Sequence, residues 1–202
     1  MKITAPDSPS EYFEVTERAV KHAYAGIHSG WSNYEDTYRH WQKNKTMTPA
    51  EIDAQSRKMG KLLGKTQFAT AIFSGAILQV AYTAIMLYPP VTKIPPNWAH
   101  IGPSSTAARF CIGRERHGVP TGLIIYAGRN QYAHWDDEEP TNKIVVEVFN
   151  ALTIAFWDNP LSDLAFDLSN PTIAIYSGEI LLTALGWHSY ETYLAEMKQL
   201  LS

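Results

Sequence analysis

Arg129, Asn130 and His134 fall within six residues, in the run GRNQYAHW that follows the apolar stretch TGLIIYA. These residue types suit phosphate chemistry. A guanidinium is always charged and offers a planar fork of donors to phosphate oxygens. An imidazole titrates close to neutrality and can take or give a proton, and an amide can hold a ligand oxygen or orient the imidazole. On a helix, Asn130 and His134 share a face at i, i+4, whereas Arg129 stands ~140° around and ~7.5 Å along from His134. One such helix does not aim both groups at a single atom. Two copies meeting across a twofold axis line a shared cleft with two arginines and two histidines.

The stretch Arg129-Asn130-Gln131-Tyr132-Ala133-His134 resembles the R-x4-6-H signature, with Asn favoured after the Arg, of the HEPN superfamily. With seven Arg and seven His in the chain, the bare pattern arises by chance roughly 0.7 times; requiring the adjacent Asn lowers this to roughly 0.03. The resemblance covers the motif, its helix and the all-helical character of the chain. It implies a small all-α domain, many relatives of which are metal-independent ribonucleases that dimerise to build one active site. They recur in toxin–antitoxin, abortive-infection and CRISPR-associated systems. It therefore implies an RNA substrate, a homodimer, an antitoxin or defence-system partner, and neither metal nor cofactor. Arg129 and His134 would be catalytic and Asn130 supporting, with a 2′,3′-cyclic phosphate and a 5′-hydroxyl as products. Some members carry a Tyr two positions after the His that a partner nucleotidyltransferase modifies; this chain has Asp136 there, so that route of silencing is not expected.

Two other readings of the same residues stand beside this one. Arg129 and His134, close to Asp136, Asp137, Glu138 and Glu139, also fit an ion-paired helix end, where a cation is favoured by the dipole. The same fold could serve a non-catalytic protein that binds nucleotide, RNA or another protein. Arg114, Arg116 and His117, in the glycine-bounded run GRERHG, are candidate contacts for RNA phosphates or a solvated loop. The remaining histidines show no metal-ligand spacing such as H-E-x-x-H, and no second carboxylate cluster accompanies the acidic quartet.

The 202 residues are 45% apolar and 12% aromatic, enough for one domain spanning 1–202 to bury a core and unlike a disordered chain. A net charge of −3 does not mark a nucleic-acid binder, yet between Arg109 and His134 four arginines face Glu115 alone. Cys111 is the single cysteine, so no internal disulfide forms, and its apolar neighbours mark it as a buried small hydrophobe. The opening MKITAPDSPSEYFEV lacks the apolar run of a secretory signal, and a cytoplasmic protein is expected. Residues 68–88 contain no charge and could span a bilayer by length. They carry Thr70, Ser74, Gln79 and Thr83 and form the one such segment, so we read them as a buried central helix, with no membrane partner.

Helical spacing dominates, predicting an all-α bundle of about six to eight helices. A first helix is expected from about Ser10 to His28, capped by Asp7 or Ser8. Trp31, Tyr34, Tyr38 and Trp41 then form an aromatic stripe expected in the core. Thr48, Pro49 and Glu51 open a helix through a capping box; it continues, with a kink expected near Gly64, until Pro89 and Pro90 stop it. A proline-rich crossover covers about 89–104, with Ile94, Trp98 and Ile101 as anchors. A short helix from Ser104 to Cys111 and the motif helix beginning at Pro120 follow. The last three helices run from about Lys143 to Phe156, from Thr172 to Leu185 closed by Gly186, and from after Ser189.

Overall fold

The computed structural model describes residues 5–43, 47–90, 93–134, 142–155 and 166–202. Two long helices open the chain, α1 (Pro9–Lys43) and α2 (Pro49–Leu87). The Ser8 hydroxyl accepts from the Glu11 amide to start α1. Thr48 and Glu51 close a reciprocal capping box at α2 with Pro49 in its first turn, which satisfies backbone donors that a helix start leaves orphaned. Tyr12 with Val80, Gly26 with Phe73 and Gly30 with Thr66 fix the two helices antiparallel.

The first helix departs from the expectation that it ends near His28: it continues to Lys43. Gly26 and Gly30 do not break it, and Gly26 gives up a side chain so that α2 can approach, whereas a side chain at Gly30 would find ordinary contact. A Cβ on Gly26 would meet the Phe73 ring, and one on Gly30 would lie 3.4 Å from Thr66 Cγ2. As a result the aromatic stripe lies outside the core. Trp31, Tyr34 and Trp41 are half-buried and Tyr38 is exposed, and they stack on one another along the outer half of α1. Helical periodicity placed them on one face, and of the four Trp31 lies nearest the body, lining a pocket with Glu179 and Trp187. The α2 helix runs unbroken through Gly64.

The short helical turn Pro96–Trp98 sits inside the proline-rich crossover, where Trp98 and Ile101 are buried and Ile94 packs against the core. A second turn, Thr106–Phe110, leads to two-residue strands β1 (Glu115–Arg116) and β2 (Val119–Pro120) in place of an irregular loop. They pair antiparallel around His117 and Gly118, both at positive φ, the left-handed geometry that a two-residue hairpin turn requires. Cys111 is buried, as its neighbours implied.

Next come α3 (Thr121–Ala133), α4 (Lys143–Ala155), α5 (Pro171–Leu185) and α6 (Tyr190–Leu200). Gly186 ends α5 at φ +68° and Ser189 caps α6. The result is one compact all-α body with six α-helices among the described residues. At its centre is α3: every residue from Thr121 to Gly128 is buried, and α2, α4 and α5 pack around it. A helix apolar on all sides must be enclosed, and TGLIIYAG is that kind of sequence. Gly128 fits against Leu78 and Leu181, which seats α3 between α2 and α5. By length and composition α2 could also cross a membrane, and half of its most apolar window is buried inside this body. Thr70 and Ser74 are on its buried side, while Gln79 and Thr83 bond to each other at the surface.

Candidate functional site

Arg129 is the first residue of α3 to leave the core. The eight before it are buried, Arg129 and Asn130 are half-buried, and His134, the C-cap, is exposed. The His134 amide donates to the Asn130 carbonyl at 3.1 Å and to the Gln131 carbonyl at 3.3 Å, which closes the helix. Tyr132 lies against Gly75 of α2 and holds this last turn down. Asp136, Asp137, Glu138 and Glu139 lie outside the described residues.

The Arg129 guanidinium turns toward α2. Its carbon is 4.9 Å from the centroid of the Tyr82 ring, its Nε donates to Gln79 Oε1 at 2.9 Å, and its Nη1 donates to Asn130 Oδ1 at 3.3 Å. Tyr82 is itself stacked on Phe110 at 4.8 Å, so the platform under the cation is anchored in the core. Asn130 is fixed in turn, donating from Nδ2 to the Tyr126 carbonyl at 2.7 Å. Neutral groups therefore position Arg129, and among the described residues no carboxylate pairs with it. A cation oriented by a ring face and two amides keeps its charge available for an anion.

Arg114 and Arg116 are engaged differently. Arg114 Nε lies 2.8 Å from Glu196 Oε1 and Arg116 Nη2 lies 3.0 Å from Glu196 Oε2. Trp187 Nε1 donates to the same carboxylate at 2.8 Å and Thr121 Oγ1 at 3.2 Å. Glu196 is 8% exposed. Burial alone would raise its pKa, but the hydrogen bonds from Arg114 and Trp187 and the adjacent Arg116 outweigh it and hold the carboxyl below the ordinary range. This cluster ties the β1–β2 hairpin to α6. Arg116 is largely enclosed, whereas Arg114 and His117 remain exposed. Thr121 Oγ1 also bonds the Arg114 carbonyl, which puts the hairpin at the start of α3, ~12 Å along the helix from Arg129.

The structure thus gathers Arg129 and Asn130, places His134 one turn on, and sets Arg114, Arg116 and His117 at the other end of the helix. Gln79 and Tyr82, which orient Arg129, were not legible as site residues. Their one signal was that Gln79 is a surface amide inside an otherwise apolar stretch. Nor does the sequence single out the basic row Lys58, Lys61 and Lys65, which with Arg57 lines an open groove of about 620 Å³ between α1 and α2. Among the described residues no group of three His, Cys, Asp or Glu is disposed to hold a metal ion. Comparison with protein-family profiles, curated proteins and solved structures gives no match to this chain.

Proposed function

We propose that this protein is a metal-independent endoribonuclease of the HEPN type, active as a homodimer in the cytoplasm and serving as a toxin or phage-defence effector. The observation that carries the reading is Arg129: a half-buried guanidinium held in place by Tyr82, Gln79 and Asn130 and paired with no carboxylate among the described residues. In this reading one His134 takes the proton from a ribose 2′-hydroxyl and the 2′-oxygen attacks phosphorus. The bond from phosphorus to the 5′-oxygen breaks, and His134 of the partner subunit protonates that oxygen. Arg129 meets the additional charge on the phosphorane oxygens. A 2′,3′-cyclic phosphate and a 5′-hydroxyl remain. The need for a second subunit follows from one helix: Arg129 faces α2, while His134 caps the end, so their convergence requires a symmetry-related copy. Arg114 and His117 contact RNA phosphates beyond the cleft, with Arg116 holding the hairpin through Glu196.

A non-catalytic RNA-, nucleotide- or protein-binding role is the competing reading, favoured by the hydrogen bonds that Arg129 already spends on Gln79 and Asn130. Incubating the purified chain with RNA in EDTA separates the two. Cleavage to cyclic-phosphate ends by wild type, abolished in Arg129→Ala and His134→Ala, supports the nuclease. Equal background in all three, with RNA still bound, supports the binder.

A further inference from the structure

Lys58, Lys61 and Lys65 are spaced at i, i+3 and i+7 on α2, which sets like charges side by side and costs the helix stability. By contrast, Lys21 pairs with Glu17, Arg39 with Glu35 and Arg57 with Asp53, each four residues away. No carboxylate lies three or four residues from any of the three lysines, and none of the three forms an ion pair among the described residues. They line the groove of about 620 Å³ with Asn33 of α1 opposite, and no Asp or Glu is among its described lining residues.

The same stripe of α2 continues toward Arg129. Phe68, Ile72 and Gln79 follow Lys65 at steps of three, four and seven residues, and all three are exposed. Phe68 is 54% and Ile72 43% exposed, large apolar side chains left open to water. Gln79 Oε1 accepts from Arg129 Nε. Over ~32 Å of helix, one surface therefore presents three cations, then two bare apolar side chains, then a guanidinium.

We propose that this stripe is a track for single-stranded RNA, which runs from the lysine groove over Phe68 and Ile72 to Arg129. The inference rests on the ribonuclease reading for RNA as the polyanion and for Arg129 as the end that holds the scissile phosphate. Phosphates lie against Lys58, Lys61 and Lys65, and an unpaired base stacks on Phe68 with Ile72 beside it. A duplex offers the phosphates, but its base faces are already stacked on one another, so Phe68 and Ile72 would gain nothing. A flat anionic membrane would meet exposed lysines equally well, but these line a groove between two helices, which suits a chain of phosphates.

Fluorescence anisotropy of the full chain tests this, with a labelled 15-nucleotide RNA that is 2′-O-methylated and so lacks the attacking hydroxyl. The same RNA in a duplex and vesicles containing phosphatidylserine serve as competitors. The single strand should bind at least tenfold tighter than the duplex, and Phe68→Ala should weaken it about fivefold or more. In the triple variant Lys58→Gln, Lys61→Gln, Lys65→Gln, the slope of log affinity against log salt should become shallower by about 2. Ile52→Ala, another exposed apolar residue of α2 but ~160° around the helix from Phe68, should bind as wild type does. Equal affinity for strand and duplex, unchanged binding in Phe68→Ala, displacement by vesicles in preference to RNA, or no saturable binding would each overturn the track. Cleavage of unmethylated RNA is read in parallel. Binding through these residues without cleavage sinks the nuclease and leaves the track, whereas cleavage with unaltered affinity in both variants sinks the track and leaves the nuclease.

Discussion

Arg129 lies over the ring of Tyr82, its guanidinium carbon 4.9 Å from the ring centroid, although 46 residues of chain separate them. The ring faces the cation and is backed by Phe110, so it both attracts the guanidinium and limits where it can go. At a surface site such a contact is worth about 0.5–1 kcal/mol, or roughly two- to fivefold in a rate or a binding constant. On the proposed ribonuclease reading, Tyr82→Leu is expected to lower RNA cleavage by that factor without changing the helical circular-dichroism spectrum, and Tyr82→Phe to leave it unchanged. Equal losses in Tyr82→Phe and Tyr82→Leu would assign the effect to the hydroxyl instead of the ring face.

Glu196 should matter to stability and not to chemistry. Removing it leaves Arg116 enclosed without its counter-charge, and breaking a buried pair from one side costs about 3–5 kcal/mol. Urea unfolding of Glu196→Ala is expected to show a loss in this range.

The same carboxyl gives the fold a sensitivity to acid. Its folded pKa is held below the ordinary 4.5, so its contribution is complete above that value and is lost as pH falls through the lowered folded value. Wild-type melting temperature should drop on acidification below about pH 4.5, and Glu196→Gln should flatten that part of the profile. An equally steep decline in the variant would assign the acid sensitivity to other carboxyls.

Glycines of α2 should respond in opposite directions to the same substitution. A Cβ at Gly75 would collide with the Tyr132 ring, and overpacking of this kind costs about 1–3 kcal/mol. Gly60 and Gly64 have nothing within 4 Å of that position, so Gly60→Ala and Gly64→Ala gain helix propensity, up to about 1 kcal/mol each. Chemical denaturation of the three variants measures this. Because Tyr132 holds the final turn of α3, the proposed ribonuclease activity should fall in Gly75→Ala and stay intact in the other two.

Lys58, Lys61 and Lys65 line the groove at the outer end of α2, ~27 Å along the helix from Lys61 to Gln79. If RNA extends from the Arg129 site along α2, the double variant Lys61→Glu, Lys65→Glu should weaken RNA binding. The slope of log affinity against log salt should become shallower by about 0.7 for each phosphate that the variant no longer neutralises. Unchanged affinity and slope in filter binding would place the RNA path elsewhere.

Local signals were legible where the physics is local. Thr48, Pro49 and Glu51 marked a helix start because capping is completed within four residues, and Gly186 marked an end because glycine takes the left-handed turn without strain. The abrupt passage from TGLIIYAG to Arg129 marked the point where α3 leaves the core. Signals failed where the outcome depends on a neighbour. The first helix was expected to end near His28, yet α1 continues to Lys43 with Gly26 packed against Phe73 of α2. The stripe from Trp31 to Trp41 looked like core, yet it lies along the outer part of α1, half-buried or exposed, with its rings in contact with one another.

By itself the sequence determined an all-helical chain, most of its helix boundaries and a motif of arginine, asparagine and histidine at one helix end, since each depends on spacing and on contacts a few residues apart. The tertiary structure alone decided that Gln79 and Tyr82 orient Arg129, that Glu196 holds Arg114 and Arg116, and that Lys58, Lys61 and Lys65 line a groove with Asn33. Helical periodicity tells which residues share a face; only the packing of one helix on another tells what that face meets.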